Sequence, residues 1–309
     1  DNIKPSKLIT FNNFTKKKII LGLNKKKSVN PTITNIVLLK NEKNKIKTFS
    51  GKVFIENDLI INNETEILEG TNFIMSEEAS IVFENKVKAI GSVKNPIKFK
   101  SLKSNMNWGT VAIHGLKTDG SIFKNIIIED ASGKTINGIN YFAGLSIHSA
   151  QNVIFDNVLI KNNAKFDDMM HIIYSKNIKI LNSNFLNAYR DSVDIDISDN
   201  IIFKNSTISN SGNDGIDLME SKAQLQKVKI LFSGDKAVSA GENSEVIIND
   251  SVINSNNMGI ASKDMSKTVI KNSILKNNKV HLSVYKKNWR YGGSGTIEIK
   301  NSKISALEN

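Results

Sequence analysis

Short runs in which apolar and polar residues alternate recur along most of the chain. Met170, Val193, Ile216, Val238 and Ile260 each open one, at steps of 23, 23, 22 and 22 residues. Alternation such as Val193-Asp194-Ile195-Asp196-Ile197 predicts half-buried strands, and a fixed period of this length predicts a solenoid. Leucine-rich repeats share the period but would show a Leu-x-x-Leu-x-Leu frame, whereas these runs are rich in Ile and Val. No stretch sustains helical spacing over three turns. The prediction is an all-β chain folded as a right-handed parallel β-helix of roughly ten coils over residues 49–309.

A second series keeps the same phase. Asn157, Asn182, Asn205, Lys227, Asp250 and Asn272 are spaced by 25, 23, 22, 23 and 22, and Asn125 and Asn301 extend the series after insertions. Asn tolerates the left-handed backbone of a sharp turn, and its amide can bond the amide one coil away. The series predicts an internal Asn ladder.

A chain of 309 residues with no Cys and three Pro has neither disulfides nor Cys-type zinc sites. No apolar run approaches the roughly 20 residues of a membrane helix, and the absence of an initial Met suggests a mature or trimmed product. An extracellular, cell-surface or periplasmic location is expected. The net charge of +12 comes from Lys spread throughout, with Arg only at Arg190 and Arg290. A nucleic-acid binder would concentrate Arg and aromatic residues on one face, so no nucleic-acid partner is expected. Residues 1–48 lack the repeat. They carry two Lys triplets and the apolar stretch Ile36-Val37-Leu38-Leu39, and are expected to cap the first coil or connect to an upstream domain or partner protein.

The run Glu69-Gly70-Thr71, Ala89-Ile90-Gly91, Asn95-Pro96-Ile97-Lys98-Phe99 and Trp108-Gly109 resembles the entry coils of bacterial β-helix proteins of the pectin-lyase-like superfamily. Asn213-Asp214-Gly215-Ile216-Asp217, Gly234 to Glu242 and Gly259 to Asp264 are similar to the β-helix domains that accompany spore-coat-H-type kinase domains. The resemblance covers about residues 51–300 and implies fold more than activity. The chain has no glycine-rich phosphate loop or kinase strings of its own.

Aligned by the Asn series, one outward column holds Asp168, Asp191, Asp214 and Lys236. A second holds Ser146, His171, Asp194, Asp217 and Ser239, and a third His148, Ile173, Asp196 and Met219 with His114 beneath. Coils about 4.8 Å apart make these side chains close neighbours. Two such carboxylates repel by roughly 1 kcal/mol in water and more in a partly dry groove. Three arrangements would offset that repulsion: a Ca²⁺ ion held by Asp191, Asp194, Asp214 and Asp217; pairing with Arg190 and Lys236; or a raised pKa that keeps one carboxyl protonated as a general acid. Asp in turns can be a backbone-bonding ladder, so Asp168, Asp191 and Asp214 are read equally well as turn residues or as part of the site. Asp194, Asp196 and Asp217 lie within strands, where Asp is disfavoured.

The candidate catalytic residues are therefore Asp194, Asp217, Asp214, His171, Arg190 and Lys236. Candidate substrate-binding residues are Asp196, Lys263, Tyr285, Trp289 and Arg290, the aromatics as stacking surfaces for sugar rings or as a cover for the last coil. Lys236, Glu242, Lys263, Asp264 and Lys267 are expected to form a solvated, self-neutralising rim, and Ser132 to Phe142 a loop wall beside the aspartates. Two functions stay open: a polysaccharide-directed enzyme (lyase, epimerase or glycoside hydrolase), or a non-catalytic surface or periplasmic scaffold or adhesion module with a structural metal site.

Overall fold

The computed structural model describes residues 7–11, 18–22, 46–104, 106–163 and 166–305, with side chains from residue 46 onward. Residues 1–32 group by themselves, and within them Lys7–Phe11 pairs antiparallel with Lys18–Gly22, Lys7 opposite Gly22. The expected cap otherwise lies outside the described residues, including Ile36 to Leu39. Lys47–Phe49 is already a coil strand, paired with Thr65–Ile67.

The remainder is a parallel β-helix. Ten strands, one per coil, form its first sheet: β1 (Leu59–Ile61), β2 (Ile81–Phe83), β3 (Val111–His114), β4 (Ala143–His148), β5 (Asp168–Ile173), β6 (Asp191–Asp196), β7 (Ile216–Met219), β8 (Lys236–Gly241), β9 (Met258–Lys263) and β10 (Val280–Tyr285). A second sheet of twenty strands wraps the rest of each coil; its two series merge through the eight-residue strands Ile122–Glu129 and Ile154–Lys161. Among the described residues the only helical turn is Leu116–Thr118, and no helix is long and apolar enough to cross a membrane.

Alternation sends every second residue inward. Val193, Ile195, Ile216, Leu218, Val238 and Ile260 are buried from this face, and Phe49, Phe73 and Phe99 stack in a file, Phe73 and Phe99 with parallel rings at 4.5 Å. The turns are left-handed where the Asn series predicts: Asn125, Asn157, Asn182, Asn205, Lys227, Asp250, Asn272 and Asn301 all have φ between 47° and 55°.

The ladder is part-buried only at its start, where Asn157 Nδ2 donates to Asn125 Oδ1, and is external from Asn182 onward. Asn205 Nδ2 donates to Asn182 Oδ1 at 3.2 Å and Asn272 Nδ2 to Asn249 Oδ1 at 3.3 Å, both in exposed positions. The buried ladders are mostly serine, with one file passing through Ser233, Asn256 and Asn278. Just after the Asn positions, Ser183 N–H bonds Ser206 Oγ, and Ser251 N–H bonds Ser273 Oγ. A second file runs through Ser175, Ser198, Ser221, Ser244 and Ser266, the N–H of each of the first four donating to the hydroxyl one coil on. Serine suits this place because its short hydroxyl accepts from one coil and donates to a nearby carbonyl, satisfying backbone groups that no strand pairs.

Ser221→Ala would leave the Ser198 N–H without its acceptor and should cost roughly 1–3 kcal/mol. Exposed Lys204→Ala should stay within about 0.5 kcal/mol. Urea unfolding midpoints distinguish the two; equal shifts would contradict a structural role for the serine file.

Candidate active site on the ten-stranded face

The strand register places all three expected columns on the outside of the first sheet. Asp168 stands opposite Asp191, His171 opposite Asp194, and Asp194 opposite Asp217; His114 pairs with His148, and Ile173 with Asp196. The same register carries the first column on to Asp214 and Lys236, and the second from Ser146 to Ser239.

The first column is a ladder between turns. Asp191 Oδ1 accepts Asn213 Nδ2–H at 2.8 Å and Asp214 N–H at 2.6 Å; Asp214 Oδ1 accepts Lys236 N–H at 2.8 Å and lies 3.4 Å from Lys236 Nζ. Lys236 Nζ also pairs with Asp235. These bonds explain why Asp is used there without invoking a ligand.

The strand carboxylates have no such ladder. His171, buried on β5, sets its Nε2 3.3 Å from Asp196 Oδ2 and 3.8 Å from Asp194 Oδ2. Charge-assisted N–H···O bonds are usually about 2.7–2.9 Å, so the imidazole lies loosely between two carboxylates. Bond lengths of about 2.0–2.2 Å to a tetrahedral ion put ligand atoms roughly 3.3–3.6 Å apart. Among the described residues, His171, Asp194 and Asp196 form the group that could close on a metal, their ligand atoms all lying within 4.8 Å of one another. This set shares only Asp194 with the four aspartates expected from sequence; Asp191 and Asp214 already spend an oxygen each on turn donors. Asp217 Oδ1 accepts Leu218 N–H at 3.1 Å and sits 3.9 Å from Lys263 Nζ.

Crowding and burial shift several protonation equilibria. Burial, reinforced by the charges of Asp191 and Asp167, pushes Asp168 up to about 9. Burial and the neighbouring Asp168 and Asp196 hold the Asp194 carboxyl well above the usual carboxylate range. Burial also raises Asp214 to about 7 despite Lys236, and raises Asp191 despite its donors Asp214 and Asn213. Burial, with His171 and His114 adding to it, lowers His148 to about 3, which keeps that ring neutral.

The insertion between Ser132 and Phe142 is a β-hairpin, Lys134–Ile136 against Ile139–Tyr141. Asn137 and Gly138 take its two left-handed turn positions, φ 50° and 81°; an Asn-Gly pair between alternating runs is a hairpin signal legible in sequence. The hairpin brings two residues the sequence reading missed as site components. Tyr141 places its hydroxyl 3.0 Å from His114 Nδ1 and its ring 4.8 Å from that of His148, while Phe142 lies 6.2 Å from the His171 ring.

Other expected residues stand elsewhere. The Arg190 guanidinium pairs with Asp167 one coil back, at 3.1 Å in solvent, and makes no ion pair with the strand aspartates. Tyr285 lies beside Lys263 on β10, near enough to Lys236 for the ammonium to oppose the burial that raises its phenol. Trp289 is 82% exposed with the Arg290 guanidinium 5.8 Å from its ring, so it does not cover the last coil. The expected solvated rim is corrected in part: Lys263 and Asp264 are buried. The chain after β10 folds back, so that Asp264 Oδ1 accepts the N–H groups of Lys287 and Asn288.

The family described as "Right handed beta helix region" matches residues 169–308. The solved structure of a pectate lyase from Paenibacillus sp. 0602 is similar over 74% of this chain and 73% of that one, with 10% identity and a TM-score of 0.51. The periplasmic alginate epimerase AlgG is similar over 85% of this chain and 78% of its own, with 12% identity and a TM-score of 0.45. No curated protein matches the chain in sequence. The fold is thus a right-handed parallel β-helix, and at these identities the likeness extends to fold alone.

The raised carboxyls give stability a defined pH dependence. A buried carboxyl whose folded pKa lies above its unfolded value favours folding fully below about pH 4 and loses that contribution as pH rises through the folded value. Melting temperature should fall between about pH 4 and the values near 7 for Asp214 and 9 for Asp168. Asp168→Asn should flatten that fall, as scanning calorimetry across this range would show; an unchanged slope would contradict the assignment.

Proposed function

We propose that the chain is a carbohydrate-directed β-helix protein that binds a polysaccharide over β5–β7 and hydrolyses it with paired carboxyls. The observation that carries this reading is the set of strand aspartates on one outward face, Asp194 and Asp196 beside buried His171 and Asp217 stacked on Asp194 one coil further. A pectate lyase with the same fold supports the substrate class. In this reading Asp194 is the proton donor, because its surroundings favour the neutral acid. Asp217, beside the Lys263 ammonium, is the nucleophilic carboxylate. Coils about 4.8 Å apart suit the roughly 5–5.5 Å carboxyl separation of retaining hydrolysis. Tyr285 and Trp289 with Arg290 offer ring-stacking surfaces toward the C-terminal coils.

Lyase or epimerase chemistry on a uronate is less favoured. It needs a base or cation at the sugar's acidic carbon; with Arg190 paired to Asp167 and Lys236 to Asp214 and Asp235, that role falls to His171 or Lys263, each of which faces the carboxyls. An acidic polysaccharide approaching this carboxylate-rich face would need a bridging Ca²⁺, which Asp194 and Asp217 could share. The spacing about His171 favours a second reading, a non-catalytic surface or periplasmic scaffold with a structural metal. We also place the protein outside the cytoplasm, akin to the β-helix domains that accompany spore-coat-H-type kinase domains.

Two experiments decide among these readings. Reducing-end release from neutral and uronate polysaccharides should occur with retained anomeric configuration and fall about 10²–10⁴-fold in Asp194→Asn. Ultraviolet-absorbing unsaturated products would instead establish a lyase. Equilibrium dialysis with Ca²⁺ and Mn²⁺ tests the metal: binding lost in Asp217→Asn but kept in His171→Ala supports the shared Ca²⁺, binding lost in His171→Ala but kept in Asp217→Asn supports the scaffold's metal centre, and no binding to the unaltered protein rejects both.

A further inference from the structure

The aspartate face is closed at both ends. On the N-terminal side, the outward residues Ile60, Val82 and Ala112 of β1–β3 form one apolar cluster with Ile136, Ile139 and Tyr141 of the hairpin. Val82 and Ala112 are buried although they point away from the solenoid core. The hairpin is clamped in this position. Lys134 Nζ lies 2.9 Å from Asp58 Oδ1, donates to the Glu78 carbonyl at 2.6 Å, and so reaches the turns leading into β1 and β2. At the hairpin's other end, Tyr141 meets His114 and His148.

On the C-terminal side, Ser239 and Ala261 continue the Asp194–Asp217 column, and both are fully buried. Lys263 lies against Gly241, where an added Cβ would meet its Cε at 3.1 Å, and directs its ammonium at Asp217. The loop after β10 is tied back by Tyr291, whose hydroxyl donates to Glu220 Oε1 at 2.9 Å just beyond β7.

Between these closures, over β5 to β7, Asp194, Asp196 and Asp217 keep 24%, 17% and 36% of their side-chain surface in contact with solvent. Two coil spacings, roughly 10 Å, separate those strands, room for only a few sugar rings. A long glycan lying along the solenoid axis would have to pass through the hairpin, and its apolar packing and ion pair oppose displacement.

Building on the carbohydrate reading, we propose that the Ser132–Phe142 hairpin turns the aspartate face into a blind groove that accepts the ends of glycan chains and short oligosaccharides and excludes chain interiors. The hairpin is then a specificity element: it sets where along a polymer the aspartates act, without supplying a reacting group.

The test compares polygalacturonate, alginate and α-1,3-glucan, each intact and after partial fragmentation, at equal mass. Bound protein per unit mass of the glycan that is recognised should rise in proportion to the number of chain ends. Replacing 132–142 by a short Gly-Ser linker, with folding checked by circular dichroism, should make capacity independent of fragmentation. Lys134→Ala, which keeps the hairpin but removes its clamp, should shift capacity the same way to a smaller degree. Wild-type capacity that follows mass and ignores fragmentation would overturn the blind groove while leaving the carbohydrate reading intact. No binding to any of the three glycans, intact or fragmented, would overturn both.

Discussion

Parallel register between successive coils is the constraint from which the rest follows. Side chains on a strand alternate with period two, so a slip of one residue would turn Asp194 and Asp217 into the core and Val193 and Ile195 out to water. Backbone pairing alone does not prevent a slip. The left-handed turn residues fix where each strand ends, the buried serine files lock one coil's backbone to the next, and the phenylalanine stacks fill the interior at matching heights. Because all these devices share one phase, residues 22 or 23 apart in sequence become neighbours on the surface.

That vertical crowding gives the face its chemistry. Six aspartates gather there, and the chain relieves their repulsion in three different ways. Asp191 and Asp214 accept turn N–H groups, Lys236 and Lys263 bring ammonium groups to Asp214 and Asp217, and burial favours the protonated form of Asp168 and Asp194. The outcome is a set of carboxyls with different proton affinities within a few ångströms, the condition that acid–base catalysis requires. The neutral His148 and the hairpin aromatics border it on one side with weakly polar surface.

Much of this was legible in the sequence because a fixed period and strict alternation determine both height and facing. The columns Asp168–Asp191–Asp214–Lys236 and His171–Asp194–Asp217 follow from counting alone. What counting could not supply was set by segments that break the period. Lys263 and Asp264 look like a solvated rim until residues 286–295 fold back over them. Arg190 appears poised for the strand aspartates until Asp167, exposed one coil earlier, takes its guanidinium. The Asn series does mark the turns, but from Asn182 onward its amides bond on the outside of the wall while Ser183 and Ser206 fill the buried positions beside them. The segment expected as a loop wall holds the hairpin signal Asn137-Gly138; its position over β1–β3 depends on Lys134 reaching Asp58, a contact 76 residues away.

Carboxyl protonation measured residue by residue tests the central claim, that coil register crowds these aspartates into one partly dry cluster. Carbon-13 NMR titration of Asp-labelled protein, with assignments from single Asp→Asn variants, reads it directly. The account predicts that Asp168 and Asp194 titrate far above the surface aspartates, with Asp168 near 9. Aspartates that all titrate together near pH 4, the unperturbed range, would contradict it.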